Sequence, residues 1–156
     1  MTPRELDKLY REHGHCVLRR ARRLLKNDQD ARDVVQDVFL AIFREPERFE
    51  AKSSVATYLY AAATHACLNR LRDGKTRTRL VAIEASVPRH MNARGETRAL
   101  AAEILAGLSD EEAALAVYLF CDELTHDEVA GLLGCSRRHV GDLATRLRRR
   151  IMERVA

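Results

Sequence analysis

The chain has 156 residues, a net charge of +4 and no tryptophan. Apolar residues make up 46% of it, whereas Gly and Pro number only 7 and 3, too few for the many turns of an all-β protein. We therefore expect an all-α fold packed through Leu, Val and Ala. No apolar run could span a membrane and the first twenty residues are charged throughout, so we expect no membrane insertion, no signal peptide and a cytoplasmic location.

The cysteines lie far apart and form no CxxC pair, so we expect reduced, buried, small apolar residues. They are Cys16, Cys67, Cys121 and Cys135. A metal could be held by His13, His15 and Cys16, but positions i, i+2 and i+3 do not share one helix face. A plain amphipathic helix is favoured there, and we expect no metal and no cofactor.

The first predicted helix begins with two signals. Thr2 and Glu5 form a capping box, and Pro3 falls at the first helical position, where its missing N–H is not needed. The helix should continue to about Leu25. One apolar face is marked by Leu6, Leu9, Tyr10, Val17, Ala21 and Leu24.

A second helix is predicted from about Gln29 to Arg44, before Pro46. Apolar residues recur at helical spacing and should face the core. These are Ala31, Val34, Val35, Val38, Phe39 and Ile42. The polar residues between them should face solvent; they are Asp30, Asp33, Gln36 and Asp37.

A third helix should start at Ser53 or Ser54, after a polar loop over residues 45–54, and end at Asp73–Gly74. Its predicted buried stripe consists of Val55, Tyr58, Leu59, Ala62, Ala66 and Leu71. The other side should carry Thr57, Tyr60, Ala61, Thr64 and His65.

Helical periodicity disappears between Lys75 and Arg94, where basic residues alternate with threonines. A stretch of that length is too long for the inside of one compact domain, so we interpret it as a flexible basic linker. The predicted organisation is a helical domain at 1–74, a linker at 75–94 and a second helical domain at 95–156. The second domain should open with helices over residues 96–108 and 111–121, the latter preceded by a capping box of Ser109 and Glu112.

A helix-turn-helix is predicted near the end of the chain. Thr125 and Glu128 cap its first helix, Gly134 allows the turn, and Ser136 caps the second helix. The second helix buries Val140, Leu143, Leu147 and Ile151. Its outer face carries Arg137, Arg138, His139, Asp142, Thr145 and Arg146. An ordinary helical hairpin would have the same spacing of residues. DNA binding is favoured because the helix continues with Arg146 and Arg148 to Arg150, and few acidic residues nearby could pair with these arginines.

No motif indicates an enzyme: there is no P-loop, no GxGxxG after a strand, no HExxH and no GxSxG. The acids of the second helix are better explained as a solvated face than as catalytic carboxylates. The protein is therefore expected to bind and not to catalyse.

Three stretches together resemble the extracytoplasmic-function sigma factors of bacterial RNA polymerase. Residues 30–40 are similar to the acidic helix of sigma region 2, residues 54–72 to the helix that melts and reads the −10 element, and residues 108–112 with the helix-turn-helix to sigma region 4. The resemblance implies that the chain binds core RNA polymerase, through the β′ clamp helices and the β flap, and promoter DNA. An anti-sigma protein that holds it inactive is also implied.

The resemblance also implies which residues make these contacts. The implied polymerase-binding residues are Asp30, Asp33, Val34, Gln36, Asp37 and Leu40. The implied −10 residues are Phe49, Lys52, Ser53, Tyr58, Tyr60, His65, Asn69 and Arg70. The implied −35 residues are Ser136, Arg137, Arg138, His139, Asp142 and Arg146.

The chain departs from the family pattern at several of these positions. Tyr58 stands where Trp is usual, and Ala61 and His65 replace a basic residue and an Asn. In the second helix of the helix-turn-helix, Gly141–Asp142–Leu143 replace Lys–Ser–Arg, so the usual Lys and Arg are lost. Two functions therefore fit the sequence. One is an alternative sigma factor that initiates transcription; the other is a sigma-derived helix-turn-helix regulator or adaptor that does not.

Overall fold

The computed structural model describes residues 1–49, 54–73 and 103–156, and every regular element within them is helical. The all-α prediction is therefore confirmed. Contacts divide the chain into two compact units, Met1–Cys67 and Leu68–Ala156. The predicted linker at 75–94 lies outside the described residues, so the domain boundaries remain a prediction. Within the described ranges, no helix has the length and apolar character that crossing a bilayer requires.

The first unit is built on α1 (Pro3–Leu25) packed against α2 (Asp28–Arg44), followed by the short helix α3 (Pro46–Phe49). The next helix, α4 (Val55–Arg72), begins in this unit and continues past its last residue, Cys67. The predicted capping box is present, since the Thr2 hydroxyl accepts from the Glu5 amide and the Glu5 carboxylate accepts from the Thr2 amide. All six predicted core residues of α2 are buried. The loop predicted over residues 45–54 is wrong at its start, because α3 is helical.

Asp30 was expected on the outside of α2, and this expectation is wrong, because its exposed fraction is 4%. It lies in the first turn of the helix, where its amide donates to the side chain of Asn27 at 2.9 Å. A carboxylate is favourable in the first turn, where the unpaired amides give the helix a partial positive charge.

The buried side of α4 differs from the predicted stripe. Thr64 was expected on the outer side, but it is completely buried. Its hydroxyl accepts two hydrogen bonds from Arg20 of α1, at 3.2 and 3.1 Å. Because Arg20 supplies hydrogen bonds to it, this polar side chain can be buried. The apolar pattern along α4 does not indicate that pairing. The residues of α4 that are buried are Leu59, Ala63, Thr64, Cys67 and Leu68.

The four cysteines are free, but they are not all buried as predicted. Cys67 is buried and Cys135 is half-buried, and this burial raises the pKa of the Cys135 thiol. Cys16 and Cys121 are exposed, so the prediction of burial is wrong for these two.

The second unit consists of a helical stretch at 103–106, α5 (Asp110–Ala116), α6 (His126–Leu133) and α7 (Arg137–Val155). The helix predicted over residues 111–121 changes character part-way. Val117–Cys121 forms a π-helical turn, in which the Asp122 amide donates to the Val117 carbonyl at 3.0 Å. Tyr118, in this turn, is completely buried.

A carboxylate at the start of α5 ties this helix to the end of α7. Glu112 closes the capping box with Ser109 and also accepts from Arg150, at 2.7 Å from each carboxylate oxygen. Arg150 donates further to the Gly107 carbonyl at 2.9 Å. Arg150 is therefore paired with a carboxylate inside the unit, whereas we expected few acidic residues to pair with the arginines at the end of the chain.

Replacing Glu112 by Gln should destabilise the protein in a pH-dependent way. Hydrogen bonding from the Ser109 amide, then the nearby Arg150, lowers the pKa of Glu112. A lowered pKa means that the ionised group stabilises the fold at neutral pH, and that this contribution is lost as the pH falls through the folded-state value. We expect a loss of about 2 kcal/mol in the free energy of unfolding at pH 7, shrinking in acid.

Urea unfolding of the full chain, followed by circular dichroism at several pH values, measures this loss. The control is Glu153→Gln, an exposed carboxylate on α7, for which we expect a change within about 0.5 kcal/mol. Equal stability of the two variants at pH 7 would show that the Glu112 contacts contribute nothing.

Candidate polymerase and DNA interfaces

The outer face of α2 combines acidic, amide and apolar side chains. Gln36, Asp37 and Leu40 are exposed, and Asp33 is half-buried and accepts from the Gln29 amide side chain at 3.1 Å. Phe43, which the sequence reasoning did not select, is 40% exposed. It follows Leu40 by three residues and Gln36 by seven, so the three lie on one helix face. That spacing, at positions outside the apolar core residues of α2, is the sequence signal from which Phe43 could have been identified.

Two of the predicted polymerase-binding residues do not reach this surface. Val34 is completely buried and Asp30 is 4% exposed. They can support α2 but cannot form a contact surface on it. The accessible part of the predicted set is Asp33, Gln36, Asp37 and Leu40.

A groove lies beside this face, between α1 and α2. Its volume is about 690 Å³, and its lining is mostly apolar. Gln36 and Leu40 of α2 line it, together with Tyr10, which is 51% exposed. The ring of Tyr10 meets Phe39 edge-to-face, with centroids 5.1 Å apart. The outer face of α2 is therefore bordered by an apolar concavity, a combination typical of protein–protein contact sites.

The predicted −10 residues that are described lie on α3 and α4. The rings of Phe49 and Tyr58 meet edge-to-face, with centroids 5.4 Å apart, so residues on either side of 50–53 are in contact. Tyr60 is half-buried, and the guanidinium carbon of Arg20 lies 4.3 Å from the centre of its ring. Lys52 and Ser53 lie outside the described residues. Of the remaining predicted positions, Asn69 is exposed, and the half-buried ones are His65 and Arg70.

The predicted helix-turn-helix is confirmed in its local geometry. The Thr125 and Glu128 capping box is formed, Gly134 has φ of 66°, and the Ser136 hydroxyl accepts from the His139 amide at 3.1 Å. The left-handed conformation at Gly134 favours a residue without a Cβ. Of the four apolar residues of α7 predicted to face inward, Val140, Leu143 and Leu147 are buried and Ile151 is half-buried.

The outer face of α7 is accessible and mainly basic. Arg138, Asp142 and Arg146 are exposed. Arg137 is also exposed and lies 3.8 Å from Asp127. His139 is engaged, since its Nε2 lies 3.2 Å from a Glu111 oxygen. Of the predicted −35 set, Ser136 therefore serves as a cap, and the arginines and Asp142 form the open surface.

Gly141 lies within α7, the second helix of the helix-turn-helix, where glycine costs about 1 kcal/mol relative to alanine. Among the described residues, only the Nδ1 atom of His126 would come within 4.0 Å of a Cβ built there. Packing between helices therefore does not require a glycine at this position.

The chain is similar to known sigma factors. The family model described as sigma-70 region 2 matches residues 9–77, which include α2, α3 and α4. The chain is 27% identical over 145 residues to the ECF RNA polymerase sigma factor SigM of Mycobacterium tuberculosis, covering 93% of this chain and 74% of the relative. It is also 27% identical over 156 residues to the RNA polymerase sigma factor YlaC of Bacillus subtilis, covering 92% of this chain and 87% of the relative.

These matches support the resemblance of this chain to the extracytoplasmic-function sigma factors. The region 2 match ends at residue 77, whereas the two alignments each cover more than nine-tenths of this chain. The resemblance drawn from three stretches of sequence is thereby confirmed.

Gly141→Ala tests whether the recognition helix needs a close approach to DNA at this position. We expect the free energy of unfolding to rise by about 1 kcal/mol, because alanine is the better helix former and the site has room for a methyl group. DNA binding should nevertheless weaken severalfold, because the methyl group would lie between the helix and the DNA. Thermal unfolding and titration of a −35 duplex give the two values.

Gly131→Ala is the matched control, since no described atom outside its own helix lies within 4 Å of a Cβ built at Gly131. It should stabilise the protein similarly and leave DNA binding unchanged. If both alanine variants bind DNA like the parent, Gly141 has no role at the DNA surface.

Arg138→Ala should weaken DNA binding and reduce its dependence on salt. An arginine that contacts a phosphate releases about one counterion, so its loss lowers the slope of log K against log salt by about one. Titrations of a −35 duplex at several salt concentrations measure that slope. Arg4→Ala, which removes an exposed arginine from α1, should leave the slope unchanged. An identical slope for Arg138→Ala and the parent would place the DNA on another surface.

Proposed function

We propose that this chain is an alternative sigma factor that directs core RNA polymerase to specific promoters and initiates transcription there. The observation that carries the proposal is the presence, in one chain, of a sigma region 2 match at residues 9–77 and a capped helix-turn-helix at residues 125–155. A helix-turn-helix alone occurs in many regulators, whereas region 2 ties the chain to polymerase.

The proposed polymerase contact is the outer face of α2. Asp33 and Asp37 give it negative charge, and Leu40 and Phe43 give it apolar area. Charge complementarity with basic helices of the β′ clamp would steer association, and burial of the apolar side chains would stabilise the complex. The neighbouring groove between α1 and α2 extends the available surface.

The proposed −10 contact is formed by α3, the residues before α4, and α4 itself. Taking a base out of the DNA stack costs a few kcal/mol, which stacking and edge contacts in a pocket can offset. Phe49 and Tyr58 border this region in direct contact, and Tyr60 adds a third ring. Lys52 and Arg70 are proposed to bind phosphates.

The proposed −35 contact is the outer face of α7, placed in the major groove. Arg137, Arg138 and Arg146 would bind phosphates or guanines, and Asp142 can accept from a cytosine amino group. The β flap of the polymerase is the further partner proposed for the second unit.

We also propose that the protein acts beside polymerase in the cytoplasm, has no catalytic activity of its own, and is held inactive by an anti-sigma protein. The family resemblance supports these statements.

Reversing the charge of the α2 face should abolish polymerase binding. Asp37→Arg alone should weaken binding to core polymerase at least about tenfold, and Asp33→Arg together with Asp37→Arg should remove it, because like charges in an interface cost several kcal/mol. Binding is measured by titrating labelled protein with purified core enzyme.

Glu12→Arg is the control, because it reverses one exposed charge on α1. It should leave polymerase binding intact, and all three variants should still bind a −35 duplex. Unchanged polymerase binding by the double variant would exclude this face of α2 as the contact.

A further inference from the structure

Arg20, in the first unit, is a buried arginine that was not among the predicted polymerase-binding or DNA-binding residues. Arg20 of α1 is only 7% exposed. Its guanidinium Nε and Nη2 donate to the Thr64 hydroxyl at 3.2 and 3.1 Å, and its central carbon lies 4.3 Å from the centre of the Tyr60 ring. Arginine keeps its charge when buried, and its planar group can stack on a ring while donating in its own plane.

The Thr64 hydroxyl links this arginine to the backbone of Tyr60. A hydroxyl has one proton to donate and two lone pairs to accept with. The Thr64 hydroxyl donates a hydrogen bond to the Tyr60 carbonyl oxygen at 2.8 Å. Its two lone pairs remain available to accept from the two N–H groups of Arg20. Arg20 therefore contacts Tyr60 in two ways. Its guanidinium lies over the Tyr60 ring, and the Thr64 hydroxyl links it to the Tyr60 carbonyl.

The Tyr60 ring also borders a cavity. This cavity of about 190 Å³ lies between α1 and α4, and Tyr60 and Arg20 both line it. The α4 residues that line it on either side of Tyr60 include Ala56 and Ala63, whose side chains are single methyl groups. The Arg20 guanidinium is thus a group of the cavity wall that lies against the ring.

We infer that Arg20 is a positioning residue that fixes the Tyr60 ring for stacking with the −10 strand. This inference rests on the proposed function, in which Tyr60 contacts that strand. Being buried, Arg20 would not touch DNA itself. A ring already held in place loses less conformational freedom when a base stacks on it, so promoter opening is favoured.

The test measures promoter opening by permanganate reactivity of −10 thymines, using the full chain with core polymerase. Arg20→Lys keeps the charge but loses the planar donor pair, and Thr64→Val keeps the volume but loses the hydroxyl. Each should lower the opening equilibrium about tenfold, with polymerase binding unchanged. Thr64→Ser keeps the hydroxyl and should open the promoter like the parent, as should the control Arg19→Lys, an exposed position on the same helix.

A double-mutant cycle separates positioning from general stabilisation. If Arg20 acts through Tyr60, Arg20→Lys should cause no further loss of opening when Tyr60 is already Ala. Equal losses with and without the Tyr60 ring would overturn the inference and leave Arg20 as a structural residue. Parent-like opening by Tyr60→Ala would also overturn it, whereas failure of the parent protein to open any promoter would overturn the proposed function itself.

Discussion

Within the described residues, six helices are preceded by a residue whose side chain accepts a hydrogen bond from the backbone amide three residues later. The accepting residues are Thr2, Asn27, Ser54, Ser109, Thr125 and Ser136. Each such cap contributes about 1 kcal/mol, which is a large share of the stability that a small helical domain can have. Because a cap also fixes where a helix begins, it determines which residues face the core and which face a partner.

The functional surfaces are consequences of that register. In α2 the buried side is entirely apolar apart from Asp30, which leaves Asp33, Gln36, Asp37 and Leu40 outside with Phe43. In α7 the cap at Ser136 places Val140, Leu143 and Leu147 inside and the arginines outside. The two units thus present faces of different chemistry, one acidic and apolar, the other basic. The acidic and apolar face suits the proposed contact with polymerase, and the basic face suits the proposed contact with −35 DNA.

Features that depend on neighbours along the chain were predicted well from the sequence. The three capping boxes, the turn at Gly134, the core of α2 and three of the four predicted inward-facing residues of α7 are confirmed.

Features that depend on a partner in another helix were not predicted. Burial of Thr64 requires Arg20, which is 44 residues away in sequence, and the role of Arg150 requires Glu112. The π-helical turn at Val117–Cys121 also has no signal in the apolar pattern, because the same residues suit an α-helix. For the candidate site, Val34 and Asp30 are buried and so do not belong to the accessible face of α2. Phe43, which was not predicted, is exposed on that face. The roles of the remaining residues are still predictions.

The central claim is that this chain initiates transcription, and run-off transcription tests it most directly. Purified core polymerase is supplied with fragmented DNA from the source genome, with and without the full-length protein. The account predicts discrete new transcripts that require the protein, and alignment of their start sites would give the −10 and −35 sequences. Polymerase binding without any new transcript, on any fragment, would contradict the account and support the sigma-derived regulator instead.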